Sequence, residues 1–256
     1  MGSGLGMGSI FEPFLLSLIA GMATGLGGMI VLMLRRVGDR VVSFSMGFAS
    51  GVMLMVAFNN LFLEAEKLLA HVELIVVFAL GAVVMIVLDL SIPHIELATG
   101  KLDSKKTKMR RTGMLIAIGI TLHNIPEGFV VAAGYTYMPG LGLVIAIAIM
   151  LHNIPEGVAT AIPFRRAGTR PRKIAVITLL SGLAEPVAAL VGAAALSVVG
   201  TKTVIGYSLV FAAGVMTYIT ADELIPVAHE YGHKHTVSIG LLLGIVFALM
   251  VDVILS

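Results

Sequence analysis

The chain has 256 residues, of which 58% are hydrophobic and 12% are charged, and its mean hydropathy is +1.02. A soluble globular domain carries about twice this share of charged residues, so the composition indicates a membrane protein. The net charge of +2 gives no electrostatic basis for binding nucleic acid. Because the chain contains no cysteine, disulfides and thiolate metal ligands are excluded.

Eight apolar runs are long enough to cross a bilayer as helices, which takes about 20 residues each. We therefore expect an all-α, polytopic membrane protein that forms one transmembrane domain over residues 1–256. The first run has no basic residue before it, which favours a retained span over a cleaved signal peptide. The third run is the shortest, and a polar loop is expected from Ser91 to Thr112. The predicted spans are 13–34, 42–63, 72–90, 113–134, 141–162, 174–199, 203–227 and 236–255.

The basic residues predict how the chain is oriented in the membrane. All 17 Lys and Arg residues lie outside the predicted spans, and all except Lys67 and Lys202 lie in the odd-numbered loops. Basic residues concentrate in cytoplasmic loops. The odd loops are therefore expected in the cytoplasm, and both termini on the extracellular or periplasmic side of the plasma or inner membrane.

One hexapeptide occurs twice, at the middle of the fourth and of the fifth predicted span. Ionisable residues are costly inside a bilayer, so their repetition indicates a functional site. A His and a Glu four residues apart share one helix face, and their side chains are suitable ligands for Zn²⁺ and related cations. The proline in each copy removes a backbone donor and is expected to kink the helix, which frees a carbonyl beside the site. The copies are His123-Asn124-Ile125-Pro126-Glu127-Gly128 and His152-Asn153-Ile154-Pro155-Glu156-Gly157.

A third glutamate, Glu185, precedes Pro186 near the middle of the sixth span and is expected at a similar depth. Together with Glu127 and Glu156 it would place three negative charges in a low-dielectric environment, where they repel one another. A divalent cation would offset two of these charges, and bound protons would do so in its absence. Interhelical hydrogen bonding is the alternative role for these side chains, but the repeated His-x-x-x-Glu spacing favours a metal site on a permeation path.

A second repeat relates the second and seventh spans. The segment 48–53 matches 211–216, and at the same offset Asn59-Asn60 aligns with Asp222-Glu223. In the predicted topology the two copies of each repeat run in opposite directions. Inverted repeats around a midplane site are typical of secondary transporters, and a 3+2+3 arrangement of spans is expected.

Several further residues are candidates for the metal site or its pathway. The side-chain carbonyls of Asn124 and Asn153 are weak ligands, and helix–helix hydrogen bonding is an equal alternative for them. Met53 offers a thioether or ordinary packing, and Asp222 and Glu223 offer carboxylates or a solvated helix end. The remaining pathway candidates, His94 and Glu96, either receive metal on the cytoplasmic side or belong to a polar loop.

The paired hexapeptide, Glu185-Pro186, the eight spans and the external termini resemble the ZIP (Zrt/Irt-like) family of divalent metal transporters, and most closely its prokaryotic broad-range branch. The resemblance covers nearly the whole chain. It implies a non-enzymatic carrier, without a prosthetic group, that moves Zn²⁺, and also Fe²⁺, Mn²⁺, Co²⁺ or Cd²⁺, into the cytoplasm. It also implies a homodimer in which spans one, four, five and six move as an elevator against the other four.

The resemblance also implies which residues hold the metal. The first site would be formed by His123, Glu127, His152 and Glu156. An auxiliary site would use Asn124, Asn153 and Glu185 together with the shared glutamates. Some relatives have Asp at the position of Asn153, so the neutral side chain here predicts a weak auxiliary site.

Two other functions fit parts of the pattern. An intramembrane zinc hydrolase needs three protein ligands, an open water position and a general base, which two histidines and three glutamates supply. However, the chain contains no His-Glu-x-x-His, and an inverted repeat has no role in a hydrolase. A metal-selective channel is the other alternative. The sequence does not rank the metals, because their selection depends on geometry and availability.

Overall fold

The computed structural model describes residues 8–34, 38–97 and 105–255, and within these ranges it contains helices and no β-strand. The predicted all-α class is confirmed, and each predicted span coincides with one long helix. The eight helices are α1 (Gly8–Met33), α2 (Asp39–Glu66), α3 (His71–Leu97), α4 (Lys105–Tyr137), α5 (Pro139–Arg166), α6 (Pro171–Val199), α7 (Lys202–Glu230) and α8 (Lys234–Leu255).

Seven of these helices have the length and hydropathy of a membrane span, as judged over the described residues. The remaining helix, α4, has side chains in its first half that lie outside the described residues, and it carries the first hexapeptide near its middle. The third predicted span, the shortest in the sequence, belongs to the most apolar of the seven helices, α3. The chain is therefore a multi-pass membrane protein by its helix content.

The predicted loop from Ser91 to Thr112 is mostly wrong. Helix α3 continues to Leu97 and helix α4 begins at Lys105, so much of this polar stretch is helical. A helix satisfies its own backbone hydrogen bonds and can extend beyond the bilayer into water, where polar side chains are solvated. His94 lies in this extension of α3, but its side chain and that of Glu96 lie outside the described residues.

The helices pack as two groups of four. In one group α1 packs against α5 and α6, and α4 packs against α5 and α6. In the other group α2 packs against α8, and α3 packs against α7. The groups meet mainly where α2 contacts α5 and where α4 contacts α7. The most buried membrane helix is α5, so the second hexapeptide lies at the centre of the molecule.

Glycines let the helices of the first group approach closely. A β-carbon added at Gly157 of α5 would overlap the carbonyl oxygen of Thr24 in α1. One added at Gly128 of α4 would overlap the carbonyl oxygen of Glu185 in α6. Small residues at such crossings replace side-chain volume with direct backbone contact. Because these two glycines end the two hexapeptides, the same repeat sets both contacts.

The second group is packed by an equivalent pair of glycines. A β-carbon at Gly51 of α2 would overlap the carbonyl oxygen of Leu241 in α8, and one at Gly214 of α7 would overlap that of Phe78 in α3. Both glycines belong to the second sequence repeat. The contact of α2 with α8 therefore corresponds, residue by residue, to the contact of α7 with α3.

Irregular helical backbone occurs away from the prolines of the two hexapeptides. Helices α4 and α5 continue through Pro126 and Pro155. Two π-helical segments occur instead in α2 (Val56–Phe62) and α7 (Thr220–Leu224), and Leu183 interrupts α6. A proline inside a helix loses one hydrogen bond, but tight packing by neighbouring helices keeps the backbone helical. Both helices are thus continuous at the two prolines, and the expected kink there stays a prediction.

Candidate metal site

The two hexapeptides bring four ionisable side chains together between α4 and α5. All four are completely buried. Nε2 of His123 lies 3.1 Å from Oε1 of Glu156, and Nε2 of His152 lies 2.9 Å from Oε1 of Glu127. Each helix therefore pairs its histidine with the glutamate of the other helix. The repeat produces this crossed arrangement because both helices place His and Glu one turn apart.

Three of these residues form a cluster of the size that a metal ion requires. Each of His123, Glu127 and Glu156 offers one ligand atom, and these atoms all lie within 4.8 Å of one another. His152 joins the cluster through its contact with Glu127. The second carboxylate oxygens, Oε2 of Glu127 and of Glu156, are buried without a hydrogen-bond partner. Unpaired buried oxygens are rare in proteins, and here they leave acceptor capacity for a cation.

The asparagines of the hexapeptides contact the neighbouring helices. Nδ2 of Asn153 donates to the carbonyl oxygen of Ala20 at 3.0 Å and to Oε2 of Glu185 at 2.8 Å. Nδ2 of Asn124 donates to the carbonyl oxygen of Ser181 at 2.9 Å. The amide nitrogens therefore serve helix packing. The amide oxygens of both asparagines, and Oε1 of Glu185, are buried without a hydrogen-bond partner and are available as oxygen ligands.

Negative charge dominates this part of the molecule. Glu127, Glu156 and Glu185 are all completely buried, while no lysine or arginine is buried among the residues whose side chains are described. Buried carboxylates without basic partners repel one another unless protons or a cation offset their charge. The donor set of imidazole nitrogen and carboxylate oxygen suits borderline divalent cations such as Zn²⁺.

Glu223 lies beside the cluster and not at a helix end. Its Oε2 is 3.6 Å from Nδ1 of His123, and its side chain remains 26% exposed. Of the two roles that the sequence leaves open, a helix end does not describe Glu223, because α7 continues to Glu230 through the π-helical segment that carries Asp222 and Glu223. Glu223 thus links the buried cluster to the surface, whereas the neighbouring Asp222 is exposed.

Met53 occupies a packing position. It is completely buried, and its sulfur accepts a hydrogen bond from the hydroxyl of Thr220 at 3.9 Å. This contact joins α2 to the π-helical segment of α7. Packing, the alternative that the sequence leaves open for Met53, is the role that the described contacts support.

Two aspartates to which the sequence assigns no role are held by partners on neighbouring helices. Asp252 of α8 accepts hydrogen bonds from Nδ2 of Asn59 at 3.0 Å and of Asn60 at 2.7 Å. Asp89 of α3 accepts one from the hydroxyl of Tyr218 at 3.2 Å. The signal that could have found them is the second repeat, because Asp89 and Asp252 are separated by the same offset as its two copies.

An ion pair joins the two groups of helices at one end of the molecule. The guanidinium of Arg166, at the end of α5, lies 3.3 Å from Oδ1 of Asp39 at the start of α2. It also lies over the ring of Tyr231, 6.0 Å from the centroid. Burial raises the pKa of Tyr231 above its ordinary value, although the nearby charge of Arg166 acts in the opposite direction.

At the α4–α5 turn the two groups are separated by a cavity of about 510 Å³. The turn contributes Tyr137 and Met138, and the facing group contributes Lys67 and Lys202. Lys67 pairs with Glu64 at 2.5 Å, and this hydrogen bond raises the pKa of Lys67 above its ordinary value. The two groups of helices are therefore in contact where Arg166 meets Asp39, and they are apart at the α4–α5 turn.

The chain is similar to known proteins over most of its length. The family model described as "ZIP Zinc transporter" matches residues 94–252. A protein named zinc transporter ZupT from Chlorobaculum parvum is 37% identical, over 96% of this chain and 98% of its own. Proteins of the same name from Nitratidesulfovibrio vulgaris and Clostridium perfringens are 36% and 31% identical, and each comparison covers at least 93% of both chains.

Proposed function

The chain belongs to the ZIP zinc transporter family, and from this premise we propose that it is a secondary transporter that carries divalent metal ions into the cytoplasm. Zn²⁺ is the first expected substrate, because the similar proteins are named as zinc transporters. Fe²⁺, Mn²⁺, Co²⁺ and Cd²⁺ are the further candidates, since nitrogen and carboxylate ligands accept all of them. The metal is a substrate of a carrier, and no enzymatic step is required.

The observation that carries this proposal is the buried cluster between α4 and α5. His123, Glu127, His152 and Glu156 form the primary site in this proposal. The crossed His–Glu contacts of 3.1 and 2.9 Å hold the four side chains ready for a cation. A divalent ion would attract the unpaired carboxylate oxygens and offset the charge that burial makes costly.

An auxiliary site lies on the α6 side of the primary site in this proposal. Glu185, Asn124 and Asn153 would supply its ligands, with Glu127 and Glu156 shared between the two sites. The unpaired oxygens of Glu185 and of both asparagines support it. Since the amide of Asn153 is neutral, binding there is expected to be weaker than at the primary site.

We further propose that the two groups of helices move relative to each other, so that the site faces each side of the membrane in turn. Inverted repeats permit two conformations of similar energy that open to opposite sides. The glycine contact between α1 and α5 is equivalent to that between α4 and α6, and the contact between α2 and α8 is equivalent to that between α3 and α7. These equivalences support a 3+2+3 inverted repeat. The basic odd-numbered loops support external termini and a plasma-membrane or inner-membrane location.

On this proposal, metal leaves toward the cytoplasm past Glu223. This carboxylate lies 3.6 Å from His123 and is partly exposed, which suits transfer from the buried site to water. The exposed carboxylate of Asp222 would take the ion next. A homodimer is also part of the proposal, and the mass of the protein in detergent, measured by light scattering, tests it.

Uptake by proteoliposomes tests the function directly. Purified protein would be challenged with Zn²⁺, Fe²⁺, Mn²⁺, Co²⁺ and Cd²⁺, and saturable uptake of at least Zn²⁺ is expected. The His123→Ala/His152→Ala variant should lose uptake, whereas His71→Ala, whose side chain is 85% exposed, should retain it. Flux that does not saturate would indicate a channel. No metal flux at all from folded protein would overturn the proposal.

A further inference from the structure

Helices α1 and α6 make equivalent contacts with each other. A β-carbon added at Gly21 would overlap the carbonyl oxygen of Gly182, and one added at Gly182 would overlap that of Gly21. The side chain of Thr24 lies next to Gly182, 3.1 Å from the added β-carbon. The carboxylate of Glu185 lies next to Gly21, 3.4 Å from the added β-carbon there. Thr24 and Glu185 therefore hold corresponding places on opposite sides of this contact.

The hexapeptides meet α1 and α6 at corresponding positions too. Asn153 donates to the carbonyl oxygen of Ala20, four residues before Thr24. Asn124 donates to the carbonyl oxygen of Ser181, four residues before Glu185. The closing glycines of the hexapeptides contact the carbonyls of Thr24 and Glu185 respectively. A third repeat in the sequence, shorter than the other two, reflects this correspondence between α1 and α6. It aligns Ala20-Gly21-Met22-Ala23-Thr24 with Ser181-Gly182-Leu183-Ala184-Glu185.

The hydroxyl of Thr24 is free to contact a ligand. Thr24 is completely buried, and its Oγ1 has no hydrogen-bond partner. A helical threonine usually donates to the carbonyl four residues earlier, as Thr160 and Thr178 do here. By the same correspondence Thr24 is the counterpart of Glu185 and Asn124 is the counterpart of Asn153, and the amide oxygen of Asn124 is also unpaired.

We propose that Thr24 lines the metal site as the counterpart of Glu185 and determines that the site has one auxiliary cation position instead of two. Glu185 brings a charged oxygen ligand to the side of Asn153. Thr24 brings only a short, neutral oxygen to the side of Asn124, which contacts a cation weakly or holds one of its water molecules. This inference rests on the proposed function and adds a specificity-determining residue on α1, a helix that supplies no ligand in that proposal.

Exchanging the two side chains tests the correspondence. Glu185→Thr should weaken auxiliary Zn²⁺ binding by roughly tenfold or more, since a charged ligand is lost. The double variant Thr24→Glu/Glu185→Thr should recover most of this loss, because it moves the carboxylate to the equivalent place. Thr24→Glu alone should bind one more Zn²⁺ per chain than the unmodified protein. Calorimetric titration in detergent measures affinity and stoichiometry, and thermal unfolding checks that each variant is folded.

A conservative pair keeps the test decisive if a glutamate at position 24 prevents folding. Thr24→Val removes the hydroxyl at nearly constant shape and should weaken Zn²⁺ binding about fivefold, the effect of one lost neutral contact. Thr24→Ser keeps the hydroxyl and should bind like the unmodified protein. If the hydroxyl only packs, the valine variant will bind normally and the inference is wrong.

The outcomes separate this inference from the proposed function. If the unmodified protein shows no saturable Zn²⁺ uptake in proteoliposomes, the proposed function fails. If it transports Zn²⁺ but the double exchange binds no better than Glu185→Thr, and the valine variant is normal, only the role of Thr24 fails. If Thr24 merely filled space between α1 and α6, the double exchange would not restore the Zn²⁺ binding that Glu185→Thr loses.

Discussion

Each histidine of the primary site contacts a buried glutamate of the other helix, so removing one partner disturbs both helices. We expect His123→Ala, Glu127→Ala, His152→Ala and Glu156→Ala each to reduce Zn²⁺ uptake by at least about 10–100-fold, the effect of losing one or two charge-assisted contacts. Initial rates in proteoliposomes measure this, with His71→Ala as the control. Normal uptake by a folded variant that lacks two of these side chains would remove the cluster from the mechanism.

The auxiliary residues should matter less than the primary ones. Glu185→Gln keeps the shape of the side chain and its contact with Asn153 but removes the charge, so Zn²⁺ uptake should fall by less than in Glu156→Ala. Asn153→Ala should likewise have a smaller effect. Calorimetry provides the decisive measurement, because two equally tight Zn²⁺ ions per chain would contradict a weak auxiliary site.

At the level of single residues, the sequence predicts the centre of the site better than its surroundings. The repeated spacing of His and Glu predicts that they share a helix face, and the structure brings them together. The crossed pairing depends on how α4 and α5 are rotated against each other, which no spacing within one helix specifies. The place of Glu223 depends on how far α7 continues, and helix ends outside the apolar core carry little hydropathy signal.

Helix packing here depends on glycines that leave no room for a side chain. Gly157→Ala should therefore force α1 and α5 apart, lowering stability by about 1–3 kcal/mol as overpacking typically does, and reducing Zn²⁺ uptake with it. Gly140→Ala on the same helix is the matched control, because a β-carbon there meets nothing within 4 Å. Thermal unfolding in detergent would refute the expectation if both variants melted at the same temperature as the unmodified protein.

The elements themselves were largely predictable, since each span is an apolar run of sufficient length. Their irregular parts were not. Helices α4 and α5 are continuous through Pro126 and Pro155, and the π-helical segments in α2 and α7 contain no proline. A π-helical turn is rare and closes i→i+5 hydrogen bonds, and no local signal such as a proline marks it in these two segments.

At the scale of the whole molecule, the contact of Arg166 with Asp39 should change if the two groups of helices move. Because the chain has no cysteine, Asp39→Cys/Arg166→Cys can be cross-linked without background. A short bifunctional thiol reagent should reduce Zn²⁺ uptake by this variant at least tenfold, by holding α2 against α5. An exposed ion pair contributes only about 0–1 kcal/mol to the free energy of unfolding. The two substitutions without cross-linking should therefore have little effect on Zn²⁺ uptake.

A link within one group is the control for this experiment. Glu64→Cys/Lys67→Cys joins two neighbouring positions at the end of α2, across which no movement between groups occurs, so uptake should survive cross-linking. If both cross-linked proteins transport at full rate, the groups do not move against each other there, and a fixed pore becomes the better account. With a bifunctional reagent that contains a disulfide, reducing that disulfide should restore uptake in Asp39→Cys/Arg166→Cys.

The unequal burial of the membrane helices connects this protein to the thickness of its bilayer. Helices α3 and α8 are the least buried of the seven. Helix α8 has 22 residues and rises about 33 Å, close to the hydrocarbon thickness of about 30 Å. Helix α5 has 28 residues, rises about 42 Å and is the most buried. On the proposed movement, lipid would hold α3 and α8 in place, while α5, surrounded by protein, would move past them. Acyl chains that are too short or too long would tilt α3 and α8, so transport should peak at intermediate chain length.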